Sequence, residues 1–259
     1  MSQPDSRVYL MYHEIEVSGR ALCQSEPGYV RYIVTEADFR NQIDKLKENA
    51  WLGMSVTQAL TAPSNPGVGL TFDDGCETDL LIAAPLLKEA GFGATFYITA
   101  GFLGRRGYLS RPQVRDLSDL GFDIGCHSMT HPYLSDLPTT ALPAEMAVPK
   151  TQLEEITGRE VANFSCPGGR FDARVIRFAR EAGYRSLATS RAIENNRQTD
   201  PFALGRVAIM RDTEIAQFWR TCRGQGLWRT RWKDRTRATA KTLLGNSIYD
   251  KMRGAVLSK

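Results

Sequence analysis

Short apolar runs alternate with longer amphipathic stretches along most of this chain, and the alternation carries the first reading of the fold. Residues 7–12, 68–72, 94–98, 122–126, 161–164 and 184–189 are strand candidates, rich in Val, Ile, Phe and Tyr and bounded by turn formers. Between them lie helical patterns. One opens at Thr35, with Asp38 at the third helical position, and runs to about residue 49. Others span 80–90, run from Ser110 to Gly121, end near Gly158 after an interruption or kink at Pro149, and run from Asp172 to Gly183. Residues 61–69 are Pro- and Gly-rich and read as a loop into the next strand. Three helices stop at a glycine followed at once by an aromatic: Gly91-Phe92, Gly121-Phe122 and Gly183-Tyr184. Glycine takes the left-handed position past the last turn, and the aromatic starts the return to the sheet. Such alternation predicts a parallel sheet covered by helices, with function gathered at the carboxyl ends of the strands.

The candidate chemistry sits at those ends. The chain has 3 histidines, and two lie in His127-Ser128-Met129-Thr130-His131, directly after a predicted strand. After another comes Thr71-Phe72-Asp73-Asp74-Gly75. An Asp-Asp-Gly alone is ordinarily a polar turn, and a lone His-x-x-x-His is ordinarily a surface coincidence. Together they offer two imidazoles and a carboxylate to one ion, with a position left for water and a second carboxylate to take a proton.

In this order the two segments resemble the first two motifs of the NodB-homology polysaccharide deacetylases, carbohydrate esterase family four, over roughly residues 8 to 210. The resemblance implies a distorted, incomplete (β/α) barrel of about seven strands. It implies Asp73 as general base and Asp74, His127 and His131 as ligands of zinc, or of cobalt, iron(II) or manganese. The third motif reads Phe164-Ser165-Cys166-Pro167-Gly168-Gly169-Arg170, with Ser165 where many members carry an arginine that holds the base. Two arginines stand as replacements: Arg170, and Arg206 on a late strand within 204–209. The Pro167-Gly168-Gly169 turn is expected to line the substrate and offer a backbone N–H to an oxyanion. The family's usual acid, a late histidine, is missing, since no histidine follows His131. His13, directly after the first strand, resembles the acid of the circularly permuted branch that deacetylates poly-N-acetylglucosamine exopolysaccharides. The implied activity is metal-dependent hydrolysis of N-acetyl groups on an N-acetylhexosamine glycan or glycolipid precursor, releasing acetate. An O-acetyl ester or small-amide hydrolase, and a non-catalytic glycan-binding module, are the alternatives.

Composition refines this picture. Apolar residues make up 42% of the chain, enough for a sizeable core, and no apolar run is long enough to span a membrane. Met1 to Arg7 lacks an apolar signal-peptide core, and the 5 cysteines are scattered without a Cys-x-x-Cys pair, so reduced thiols in a cytoplasmic protein are expected. The net charge of +4 is uneven: eleven Lys/Arg against two Asp lie between Phe218 and Lys259, leaving −5 for the remainder. The chain therefore divides into a catalytic domain, 1–210, and a basic helical extension, 211–259, packed on or beside the barrel. Trp219, Trp228 and Trp232 interleave with the basic residues, which suits either a solvated cap packed on the barrel or peripheral contact with the inner membrane face. No nucleic-acid motif accompanies them, and no nucleic-acid partner is expected. The Asn195-Asn196 pair reads as a turn or as part of a sugar cleft.

Overall fold

In the computed structural model, which describes residues 6–61 and 65–227, the apolar runs become parallel strands. In chain order β1 is Tyr9–Tyr12, β2 Leu52–Met54, β3 Gly67–Phe72, β4 Thr95–Ile98, β5 Asp123–Cys126, β6 Asn163–Ser165, β7 Ser186–Ala188 and β8 Val207–Ala208. The order across the sheet is β8–β1–β3–β4–β5–β6–β7, with β2 alongside the first half of β3. The seven strands on that path form an incomplete (β/α) barrel, because β7 and β8 do not pair; a single bridge joins Ala188 of β7 to Leu204, before β8.

Helices α1 (Glu36–Glu48), α2 (Ala84–Glu89), α3 (Arg111–Asp119), α4 (Leu142–Thr157), α5 (Ala173–Glu181) and α6 (Ile215–Cys222) flank the sheet, with two shorter helices, Pro27–Val30 and Val56–Thr61, and a small parallel ladder of Ile15–Glu16 with Val34–Thr35. Their starts follow the local chemistry. Thr35 Oγ1 accepts from Asp38 N, Ser110 and Gln113 form a reciprocal capping box, and Asp172 Oδ1 accepts from Arg174 N and Val175 N. Gly91, Gly121 and Gly183 have φ of 70°, 90° and 80°, the left-handed conformation their positions require.

Two helices depart from the expected pattern. The stretch 80–90 begins as a π-turn, Asp79–Ala83, before α2 proper. Pro85 lacks an N–H and its ring would collide with the carbonyl four residues back, so the wider turn accommodates it. By contrast, α4 runs uninterrupted through Pro149.

The pleat explains why polar residues meet inside the barrel. Side chains two apart share a face. On β1, β3 and β4 the residues Leu10, Tyr12, Phe72 and Phe96 point to the helices, where Phe72 stacks on Phe96 with ring centroids 4.8 Å apart. The alternate face carries Tyr9 and Tyr97, which form a smaller cluster with Met54, Ala188 and Leu204. Extending that face by two residues at each strand end brings in His13, Asp73, His127 and Ser165.

Asn195 does not line a cleft. It is buried, bridges Arg7 through its backbone, and pairs its amide with Gly205 N and O. The described part of the basic extension packs on the barrel: Phe218 is buried and Trp219 meets Trp51 edge to face at 5.1 Å. Trp228, Trp232 and the rest of the expected extension to residue 259 lie outside the described residues. No helix among the described residues is long and apolar enough to cross a membrane.

Candidate active site

Asp73 and Asp74 leave β3 in a turn that most side chains avoid. Asp74 has φ 81° and Gly75 has φ 81°. Of the four described non-glycine residues with positive φ, three are Asp74, Ser128 and His131. Such strain persists only where surrounding bonds over-determine it, and it concentrates at functional sites. Here the bonds are on view. Ser128 Oγ accepts from His131 N at 2.9 Å, and Ala100 N and Gly101 N donate to the carbonyls of Ser128 and Met129. Glu145, in the first turn of α4, accepts from Met129 N, Thr130 N and the Thr130 hydroxyl at 2.7–3.0 Å.

The turn aims Asp74 Oδ1 between two imidazoles, 3.6 Å from His127 Nε2 and 3.4 Å from His131 Nε2. That oxygen is buried without a hydrogen-bond partner. A buried, orphaned carboxylate oxygen is costly unless a cation meets it. The tautomer agrees: His127 Nδ1 lies 2.9 Å from the Ser165 carbonyl, which can only accept, so the proton is on Nδ1 and the Nε2 lone pair faces Asp74. Burial pulls the His127 pKa down to about 4, against the raising effect of Asp73, which keeps the ring a neutral ligand. Asp74, His127 and His131 thus form a candidate metal-binding group whose donor atoms lie within 4.8 Å of one another.

Asp73 is held differently. Arg206 meets it in a fork, Nη1 to Oδ1 at 2.7 Å and Nη2 to Oδ2 at 2.8 Å. The same guanidinium donates to Thr189 O, Thr71 Oγ1 and Ser165 Oγ. All five of its N–H groups are therefore used, as a fully buried arginine requires. Burial alone would push the Asp73 carboxyl up, but Arg206 and then His127 reverse this and hold it well below the usual carboxylate range. Ser165 completes the link by donating to Asp73 Oδ2 at 3.3 Å.

His13 follows β1 on the same inward face. Its Nδ1 is buried without a hydrogen-bond partner, and its ring lies 5.0 Å from that of Tyr32. Burial lowers its pKa, while the charges of Asp74 and Asp73 raise it in part, so the ring senses both carboxylates.

Arg170 does not support the base. It stacks over Tyr133 at 3.9 Å from the ring and faces Asp136 at 3.8 Å. The Pro167-Gly168-Gly169 turn directs the chain that way: Gly168 and Gly169 have φ of 62° and 68°, and a Cβ on Gly169 would fall 1.6 Å from Ser190 Oγ. Cys126 and Cys166 are buried packing residues; burial pushes the Cys126 thiol up to about 12, which rules out a thiolate at ordinary pH.

The profile of the Polysaccharide deacetylase family matches residues 61–187. YxkH of Bacillus subtilis (strain 168), named for the same family, is 27% identical over 213 residues, covering 80% of this chain and 72% of that protein. The structure of the Streptococcus pyogenes deacetylase PplD in complex with acetate superposes with a TM-score of 0.74 over 85% of this chain and 99% of that one, at 23% identity. Residues 61–187 carry a polysaccharide deacetylase domain. A Bacillus cereus peptidoglycan-N-acetylglucosamine deacetylase is 30% identical over 124 residues, 48% of this chain and 56% of that protein. The Asp73-Asp74 turn and the histidine pair lie inside the matched span, whereas His13 and Arg206 lie outside it and join through tertiary contact.

Sequence reasoning missed two residues that build the site. Glu145 carried only the signal of an acid in a first helical turn. Ser165 read as a lost arginine, yet its hydroxyl links Asp73 to the arginine that replaces it.

Proposed function

We propose that this protein is a metal-dependent hydrolase of N-acetyl groups on an N-acetylhexosamine-containing glycan or glycolipid precursor, releasing acetate. The observation that carries the reading is Asp74 Oδ1, buried and orphaned between two imidazoles, beside a carboxylate held ionised by an arginine. Asp74, His127 and His131 would hold a divalent ion, zinc being the best match to an N/O set of this kind. Such an ion, when bound, polarises an acyl carbonyl and acidifies water.

The remaining work falls to the chain. Asp73 accepts the proton of the attacking water, and Arg206 and Ser165 hold its carboxylate oriented and charged throughout. His13 delivers a proton to the departing nitrogen as the C–N bond breaks, because an amine leaves poorly as an anion. The exposed, left-handed Gly168 brings backbone close to the substrate at the rim, where an N–H can meet developing negative charge. A glycan-binding module would have no use for Asp73 locked in the two-donor fork of Arg206, which favours catalysis over binding.

Acetate release from N-acetylglucosamine oligomers, with and without a chelator, tests the reading. Chelation should abolish release and added zinc should restore it. Release from acetylated xylan alone would make the protein an esterase, and no release from any substrate with metal restored would overturn catalysis.

A further inference from the structure

A second group of ligating side chains lies behind the first and takes no part in the chemistry above. Glu14, Cys23 and Cys76 bring a carboxylate oxygen and two sulfurs within 4.8 Å of one another. Glu14 and Cys76 are buried and Cys23 is half-buried. The residues come from three segments: Glu14 directly after His13, Cys76 just past the Asp73–Gly75 turn, and Cys23 from the loop that precedes the short turn Pro27–Val30. We propose that these three residues form a second, thiolate-rich cation site that takes a thiophilic divalent ion such as zinc, separate from the Asp74, His127 and His131 set.

The spacing fits. Two sulfurs each about 2.3 Å from a zinc ion at the tetrahedral angle lie about 3.8 Å apart. Cys23 Sγ and Cys76 Sγ are 3.6 Å apart. Glu14 is already oriented, its oxygens accepting Cys23 N at 3.0–3.1 Å and the Tyr29 hydroxyl at 3.1 Å. Three protein donors leave a fourth tetrahedral position for water. Tyr29 Oη lies 3.4 Å from Cys76 Sγ.

The enclosure is built for the thiol. Gly107, with φ of +86°, folds its carbonyl to within 3.1 Å of Cys23 Sγ, and a Cβ there would fall 2.8 Å from the same sulfur. Asp79, one turn after Cys76, is fully buried with neither carboxylate oxygen hydrogen-bonded, and burial pushes its carboxyl well above the usual range. The guanidinium that Glu14 senses, Arg20, is already paired with Glu77. Glu14, Cys23 and Cys76 thus face one another while Arg20 is turned to Glu77. An ion there would tie the carboxyl end of β1, which bears His13, to that of β3, which bears Asp73.

The sulfur donors make the test independent of the first site, which has none. The full chain, purified with a phosphine reductant and stripped of metal, is loaded with cobalt(II). A thiolate-to-cobalt charge-transfer band in the near ultraviolet is expected in the wild type and in His127→Ala, and is absent from Cys23→Ser and Cys76→Ser. By elemental analysis, zinc should fall from two equivalents in the wild type to one in Cys23→Ser and one in His127→Ala. Zinc should also shield the half-buried Cys23 of the wild type from alkylation, a measurement that needs no variant. A wild type with no thiolate band, a band that survives both serine variants, or a reduced chain that binds one equivalent and no more would each overturn the site. So would isolation of a Cys23–Cys76 disulfide whose reduction restores no second equivalent.

Discussion

Arg206→Met is the most informative single perturbation, because one side chain both stabilises the barrel and sets the charge of the base. Methionine roughly conserves the volume but removes five N–H donors, two of them on Asp73. Removing one partner of a buried ion pair costs about 3–5 kcal/mol, since the other charge stays behind uncompensated. For a chain of this size that corresponds to a fall in Tm of roughly 6–20 °C. The pH dependence separates charge from packing. In the native protein Asp73 titrates below its ordinary value of 3.8, so its contribution is present above that pH and is lost as pH falls through the native pKa. Without Arg206, burial dominates, the Asp73 pKa rises, and the folded variant is penalised most at neutral pH, where the carboxylate must stay charged. The stability gap between wild type and variant should therefore narrow as pH falls from neutral towards 3.8. Urea unfolding of the metal-free proteins across that range measures the gap. The acid limb of kcat/KM should also move to higher pH, because a larger fraction of the base is protonated. A gap that stays constant with pH would show that Arg206 contributes packing alone. Arg206→Lys keeps the charge but not the fork, and should fall between the two.

Other outcomes follow from the same geometry. Asp73→Asn keeps the shape and should leave zinc content unchanged by elemental analysis while lowering kcat about 10²–10⁴-fold; loss of metal instead would make Asp73 a ligand. His13→Ala should retain metal and fold but lose more turnover on amides than on esters, since an alkoxide needs a proton less than an amine does; equal turnover on both would remove His13 from the acid role. For the metal-free protein, His127 is held neutral in the fold, with a pKa of about 4 against an ordinary 6.5. A histidine with a lowered native pKa contributes stability that is complete above the unfolded value and is lost as pH falls towards the native one, here about 3 kcal/mol between 6.5 and 4. Denaturant titrations should show that slope, and His127→Gln should flatten it; an unchanged slope in the variant would assign it to other groups.

Much of the architecture is local and therefore legible along the chain. Thr35, Ser110 and Asp172 cap helices through their own next residues, and Gly91, Gly121 and Gly183 end them, because these contacts span only a turn. The period of two within strands decides which face each residue takes. Asp73, His127 and His13 could be read as convergent once their strands were recognised. Pro85 shows where local reading stops: its ring forbids a regular helix, but only the packed structure reveals the π-turn that absorbs it.

The sequence by itself determined a parallel sheet covered by helices, the strand-end position of the chemistry and the residue types that meet there, since these depend on periodicity and short-range caps; its closing into an incomplete barrel was implied by the family resemblance. Tertiary structure decided which arginine serves Asp73. Arg170 and Arg206 looked equivalent along the chain, but the Gly168-Gly169 turn leads Arg170 to Tyr133, while β8 pairs with β1 and brings Arg206 under β3. The same long-range contacts gather Glu14, Cys23 and Cys76, residues up to 62 positions apart, into one cluster. No local rule carries such information, because a buried charge or thiol finds its partner through the crossing of distant strands and loops.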